Sequence, residues 1–321
     1  MYQKKFNYYH GIMFHHFHDN KVHKRGQGSI TGDDLKKIIK YIGKKNIIDA
    51  DEFLDRHKKK KLKKNQVCFT FDDGIKSQFD VALPILNEMK IKSFFFVYSN
   101  LFSGKPDLLE VYRYFRTNYF RTINDFYEIF FKLIDYDLDH FFKINKLNIV
   151  NKKIKFPHYS INDIKFRLVR DNLPSSKYKF IMSKLFNKKK FKPKKHFKNL
   201  FINISELKKI DKDGHIIGLH SHSHPTVIEN LTYEDQFQEY SNNLNILSKI
   251  LNKNKQQFES MSHPCGSYNN ETKNILKKLN IKLGFKQIMT IEKEKNMKRI
   301  NNSSLEIARQ DHADLMSLIR K

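Results

Sequence analysis

The sequence predicts an α/β fold on a parallel sheet, interrupted by a largely helical insertion. Three observations carry this reading. Apolar strand-like runs alternate with amphipathic helical runs on both sides of the chain's middle, polar clusters stand directly after several of those runs, and the middle itself turns helical and aromatic throughout.

Taken in order, Gly11-Ile-Met-Phe14 reads as a short buried strand that runs into His15, His16 and His18. Asp33 or Asp34 then caps a helix with apolar spacing at Leu35, Ile38, Ile39 and Ile42. After the solvated run Lys58 to Lys64, the strand Val67-Cys-Phe-Thr70 stops abruptly at Asp72-Asp73-Gly74. Phe79, Leu83, Leu86 and Met89 mark an amphipathic helix, and Lys92-Ser-Phe-Phe-Phe-Val97 is a continuous apolar run. Strand, helix and buried strand make a right-handed βαβ unit in a parallel sheet. From Leu108 to Lys198 the pattern is helical, with Tyr112, Phe115, Phe126, Phe130 and Leu133 at helical spacing and a basic stretch, Lys188 to Lys195, at its end. The βα pattern resumes with a helix from Ser205 and a strand His215-Ile-Ile-Gly-Leu219 that leads into His220. A long helix from Tyr233 to Leu251, a strand and loop around Met261 to Tyr268, a helix Glu271 to Leu279 and a strand-like Leu305-Glu-Ile-Ala308 follow. The expected division is residues 1–103, an insertion 104–200, and 201–321.

The chain has 321 residues, with Lys+Arg 61 against Asp+Glu 34, a formal net charge of +27. Such an excess suits nucleic acid, an anionic membrane surface or a phosphate-bearing substrate. Lysine, asparagine, isoleucine and phenylalanine are abundant everywhere while Gly (11) and Pro (7) are scarce, as codon bias in an AT-rich genome would produce. No aromatic-and-basic motif of a nucleic-acid module is present, so no nucleic-acid partner is expected. Cys68 and Cys265 are far apart and inside core or site motifs, which fits a reducing compartment. The opening Met1-Tyr-Gln-Lys-Lys-Phe lacks the apolar run of an export signal, and no stretch is apolar enough to span a bilayer. The expectation is a cytoplasmic protein, at most peripheral to an anionic membrane.

Two clusters carry chemistry. The adjacent carboxylates of Asp72 and Asp73 repel at a strand end, so one is normally neutralised by a cation while the other stays free to move protons. Alone, an Asp-Asp-Gly sequence is commonly just a turn. The second cluster, His220-Ser-His-Ser-His-Pro225, puts three imidazoles within five residues after a strand. Such a group is costly to bury unless it binds something, and neutral imidazole is the commonest metal ligand. Pro225 argues for a loop rather than a continuing helix. One carboxylate with His220 and His224 makes a three-ligand facial site with open positions for water, suited to hydrolysis. Both clusters follow strands, where parallel α/β barrels and open sheets build their sites.

With these residues in view, the sequence resembles the polysaccharide deacetylases of the NodB-homology type. Thr70-Phe-Asp-Asp-Gly74 is similar to the family's first motif, whose first aspartate is the catalytic base and whose second is a metal ligand. His220-Ser-His-Ser-His-Pro225 resembles the second motif, so the ligand roles fall on His220 and His224, with His222 at a variable position. Ser262-His-Pro-Cys-Gly-Ser-Tyr-Asn269 is similar to the third, although His263 stands in place of the usual arginine or tyrosine and Cys265 in place of the aromatic. Met13-Phe-His-His16 resembles the first strand of many members, and Ala308-Arg-Gln-Asp-His312 an Arg-x-Asp ending of relatives in surface-polysaccharide synthesis. The late Leu-x-His motif that supplies the family's general acid is not recognisable. The resemblance covers residues 10–103 and 201–315.

The resemblance implies an irregular (β/α) barrel carrying a helical insertion, and hydrolysis of an N-acetyl or other N-acyl group on a sugar. It implies one divalent cation, zinc with cobalt, nickel or manganese as alternatives, on Asp73, His220 and His224. Asp72 becomes the base, the Cys265 N–H an oxyanion donor, and Arg309 with Asp311 the substitute for the missing arginine. His312 is one candidate general acid beside His15, His16, His18 and His263; His15, His263, Pro264 and Tyr268 are substrate-contact candidates. The substrate would be a nucleotide-linked, lipid-linked or oligomeric N-acylated sugar. The rivals are a deformylase or cyclic-amide hydrolase of the same fold, a degenerate carbohydrate-binding module, and an iron oxygenase using the same ligand set.

Overall fold

The computed structural model describes residues 8–19, 21–155, 159–289, 292–294 and 297–320. The opening residues 1–7, read above for an export signal, lie outside these. The chain divides into two compact units, Met1–Asp107 with Phe197–Lys321, and Leu108–His196.

The first unit is built on strands β1 (His10–Phe14), β2 (Val67–Asp72), β3 (Phe94–Val97), β4 (Ile216–Leu219), β5 (Ser260–Ser262), β6 (Leu283–Phe285) and, after a small antiparallel pair β7 (Glu292–Glu294) and β8 (Met297–Arg299), β9 (Arg309–Asp311). Seven of them form one parallel sheet in the order β6-β5-β4-β3-β2-β1-β9, nearly closed into a barrel. Helices α1 (Gly32–Ile42), α2 (Ala50–Lys58) and α3 (Leu83–Glu88) belong to its first part. The second unit holds α4 (Leu108–Asn118), α5 (Ile123–Phe131), α6 (Leu138–Ile144), α7 (Lys146–Lys155), α8 (Ile161–Asn172) and α9 (Ser175–Lys188). The first unit resumes with α10 (Phe197–Leu200), α11 (Ile204–Lys212), α12 (Tyr233–Leu251), α13 (Asn270–Lys278) and α14 (His312–Ile319).

Side chains alternate across the strands, and this sets what faces the barrel interior. Cys68, Phe94, Phe96 and Phe285 share one buried cluster with Ile307 and with Ile48, Ala50, Phe53 and Leu54 of the α2 region. Phe69 and Phe71 face the other way, where Phe71 stacks on Phe14 (5.0 Å) and Phe95 (4.7 Å). By the same alternation Asp72 shares the inner face with Cys68 and Thr70, so β2 ends by presenting a carboxylate at the barrel's C-terminal mouth. Gly218 makes room for this filling, because a Cβ there would lie 2.5 Å from the Phe96 ring and 2.8 Å from the Ser260 carbonyl.

Three local expectations are corrected. The cap of α1 is Thr31, not Asp33 or Asp34; Thr31 accepts the Asp34 N–H and the Asp34 carboxylate accepts the Thr31 N–H, a reciprocal box that Thr-x-x-Asp allows. The helix read from Phe79 to Met89 opens as a π-helical turn, Gln78–Ala82, before α3. Residues 305–308 are not a strand of their own. They close the barrel, with Ile307 bridging β6 at Phe285 and the Ala308 carbonyl accepting the Gly11 N–H of β1, before β9 begins at Arg309.

The second unit packs an aromatic core. Phe126, Phe130 and Phe166 meet at 5.0–5.7 Å, and Phe115, Phe186 and Phe191 form a second knot at 4.7–5.0 Å. Phe191 thereby anchors the basic stretch after α9, whose Lys188, Lys190, Lys192, Lys194 and Lys195 are exposed.

Candidate metal centre

The site assembles where β1, β2, β4 and β5 run out. Four of its residues hold left-handed backbone, Asp73 (φ 76), Ser221 (φ 62), His224 (φ 60) and Cys265 (φ 52). Non-glycine residues avoid this region, and such strain persists where surrounding contacts enforce it, often at functional sites. Here the contacts are visible. The Ser99 and Asn100 N–H groups donate to the Ser221 and His222 carbonyls, and Glu239 of α12 accepts from the His222 and Ser223 N–H groups.

The loop turns His220 and His224 toward Asp73. Their Nε2 atoms lie 3.2 and 3.3 Å from Asp73 Oδ1, the two rings are 5.0 Å apart, and all three residues are buried. These are the residues among those described that could hold a metal ion, with ligand atoms within 4.8 Å of one another. Each imidazole is anchored from behind. His220 Nδ1 pairs with the Ser262 carbonyl at 2.8 Å, and Asn243 accepts the His220 N–H at 2.9 Å while donating to the Val97 carbonyl. His224 Nδ1 pairs with Asp107 Oδ2 at 2.8 Å, and Tyr98 packs on its ring while accepting the Asp107 N–H.

This arrangement fits a divalent cation. With Nδ1 committed to an oxygen acceptor, a neutral imidazole turns its Nε2 lone pair toward Asp73, and two lone pairs facing a carboxylate repel unless a positive charge lies between them. The electrostatics mark the site as one that draws positive charge, whether a proton or a metal ion. Burial opposes charge on His224, but Asp73 and Asp107 overcome it and push its pKa well above the ordinary value. Burial likewise opposes ionisation of Asp73, yet His224 and His220 hold its carboxyl well below the usual range.

Asp72 is held differently. Arg309 approaches it to 2.8 Å, Ser262 Oγ donates to its Oδ2 at 3.1 Å, and Gln78 of the π-helical turn donates to its backbone carbonyl and to that of His15. Arg309 is 1 % exposed and fixed through Nε on the Lys286 carbonyl. Burial raises the Asp72 pKa, and the Arg309 charge followed by that of His220 outweighs this, leaving it below the usual carboxylate range.

The remaining sequence candidates separate. His15 Nε2 lies 4.0 Å from Asp72 and 3.9 Å from Asp73, with its side chain 22 % exposed. Its neighbour His16 stacks at 6.0 Å, and His18 pairs with Ser29 instead. Cys265 forms a kink, with left-handed backbone, directly after buried Pro264. His263, expected at the substrate or as an acid, is corrected: it is 1 % exposed, its Nε2 pairs with the Leu305 carbonyl, and it stacks under Tyr268 at 4.1 Å. Its Nδ1 has no hydrogen-bond partner among the described residues, and burial lowers its pKa to about 4. Tyr268 spends its hydroxyl on Glu306. His312 is also turned away from the carboxylates, its ring nitrogens meeting the Met13 and Gly28 carbonyls and its ring stacking on Phe14. Asp311 caps α14 through the Ala313 N–H rather than reaching Asp72. Sequence reasoning missed Asp107, Asn243, Ser262 and Gln78. Asp107 fell inside the stretch assigned to the insertion, and no motif marks it.

Comparison with known proteins bears on the family and the fold. The family model for polysaccharide deacetylase matches residues 59–114 and 180–284, just over half of the chain. Among solved structures, the chain is similar to the Streptococcus pyogenes deacetylase PplD (16 % identity, 94 % of this chain and 90 % of that one, TM-score 0.54). It is similar to IcaB from Ammonifex degensii (12 %, 98 % and 98 %, 0.53) and to a de-N-acetylase from Aggregatibacter actinomycetemcomitans (14 %, 94 % and 93 %, 0.54). At these identities the likeness concerns the fold. No curated protein matches significantly in sequence. Through the family match and the barrel it shares, the chain belongs to the polysaccharide deacetylase family, hydrolases that act on the amide bonds of N-acetyl sugars.

Proposed function

We propose that this chain is a metal-dependent N-deacetylase that acts on an acetylated amino sugar in the synthesis of a surface polysaccharide. Asp73, His220 and His224 would hold one divalent cation, most naturally zinc, with cobalt, nickel or manganese compatible with the same donors. When bound, the cation supplies Lewis acidity toward the acyl oxygen and acidifies water. The observation that carries the reading is the convergence of two imidazoles, each locked from behind, on a carboxylate that stands beside a second carboxylate held by Arg309.

The chain's own residues then divide the work. Asp72, kept ionised by Arg309, takes a proton from the attacking water. Ser262 and Arg309 fix its orientation, so the lone pair that accepts the proton points one way. The Cys265 N–H is suited to the oxyanion, since a backbone donor does not need the family's aromatic side chain. His15 returns a proton to the departing amine, because beyond the two ligand histidines it is a described imidazole within 4.0 Å of both carboxylates and is partly open to solvent. Acetate and a free amino sugar result.

Acid release from nucleotide-linked, lipid-linked and oligomeric N-acetyl sugars, scored for acetate against formate, tests this. Acetate release that fails in Asp72→Asn is the expected result. Formate alone would favour a deformylase, and no acid from any of them would favour a binding module.

A further inference from the structure

Between Asp139 and Asp163 the chain carries lysines at 143, 146, 152, 153 and 155 and no carboxylate. Aliphatic residues recur there in two phases. Ile149 turns inward with Ile164 and Leu168, where Phe141, Phe142 and Tyr159 pack against them. A second set faces outward: Ile144 is 66 %, Leu147 77 %, Val150 46 % and Ile154 74 % exposed. At about 100° per residue, Leu147, Val150 and Ile154 fall within about 60° of arc on α7, with Lys146 about 40° from Val150. Lys143 and Lys146 are both exposed. Helix α7 therefore has one apolar face committed to the core of its unit and a second that nothing among the described residues covers.

We propose that this second face is a docking surface for an anionic lipid bilayer. The aliphatic row enters the boundary between headgroups and acyl chains while the neighbouring lysines meet lipid phosphates. A helix lying in the interface needs this combination of an apolar stripe and cationic flanks. Charge decides the occupant. Two-fold pairing with a second copy would bring the same carboxylate-free, lysine-bearing stretch face to face, and like charges at such a contact are unfavourable. No described helix is long and apolar enough to cross a membrane, so contact is of the surface-lying kind. The proposal stands apart from the metal centre and does not depend on it.

Vesicle flotation of the full chain tests it, with phosphatidylcholine vesicles against vesicles that also contain phosphatidylglycerol. The wild type is expected to partition at least roughly tenfold more strongly onto the anionic vesicles, and added salt should weaken this. L147E/I154E should lose roughly tenfold or more, and K143Q/K146Q about fivefold per lysine at low salt. These side chains are exposed, so unchanged circular dichroism is expected, and K143Q/K146Q supplies a second reading should the glutamates disturb folding. Equal binding to both vesicle types, or undiminished binding of a folded L147E/I154E, overturns the proposal. So does a concentration-dependent dimer that L147E/I154E abolishes in a protein that ignores vesicles.

Discussion

Replacing Asp107 tests the metal reading at a residue that no motif singles out. Its carboxylate lies 2.8 Å from His224 Nδ1 and fixes which nitrogen faces Asp73. Removing such a partner frees the ring to rotate and leaves the ligating nitrogen less basic, which typically weakens metal binding about 10–100-fold, or about 1.4–2.7 kcal/mol. Asp107→Ala should show a loss in that range. Asp107→Asn, which keeps an acceptor oxygen but not the charge, should lose less, because a charge-assisted hydrogen bond is worth roughly twice a neutral one. The assay is competition for zinc against a chelating dye, with the melting temperature followed in parallel. The Asp107 N–H bond to Tyr98 survives both substitutions, so the local backbone keeps its anchor. A folded Asp107→Ala protein with wild-type zinc affinity would refute the argument.

Asp72→Asn should retain metal and lose turnover, checked by elemental analysis beside acetate release. Arg309→Met leaves a buried, uncompensated Asp72 carboxylate, so the Asp72 pKa rises and the acid limb of the kcat/KM profile moves to higher pH; the melting midpoint should fall by an amount corresponding to about 3–5 kcal/mol. His15→Gln should lower kcat while metal content stays unchanged, whereas His312→Gln, placed away from the carboxylates, should act on stability more than on kcat. Burial lowers the pKa values of His10, His215 and His263 to about 4. A histidine with a depressed folded pKa contributes fully above its unfolded value near 6.5 and progressively loses that contribution as pH falls toward 4. Each accounts for about 3 kcal/mol at most, so urea midpoints should fall steeply between pH 6.5 and 4, less so in His215→Gln.

The strand-end cluster was readable because its signals are local: Asp72, Asp73, His220 and His224 each sit within a few residues of an apolar run. The helices of the middle stretch were equally plain from their aromatic spacing, and the compact unit they form runs from Leu108 to His196. What could not be read depends on long-range placement. Residues 305–308 look like a strand because closing a barrel demands the same extended, apolar chain. His263 and His312 look like catalytic imidazoles because sequence does not reveal that Nε2 of the one and both ring nitrogens of the other are spent on backbone carbonyls. Arg309 was marked by its resemblance to an Arg-x-Asp ending, but that it meets Asp72 while Asp311 turns to cap α14 is set by the β1 and β9 register.

Elemental analysis of the purified wild type beside Asp73→Ala, with acetate release measured on the same samples, bears most directly on the central claim. The account predicts one divalent cation per wild-type chain, and loss of both cation and acetate release in Asp73→Ala. An Asp73→Ala protein that still releases acetate at the wild-type rate, or a wild type that releases acetate with no bound cation, would contradict it.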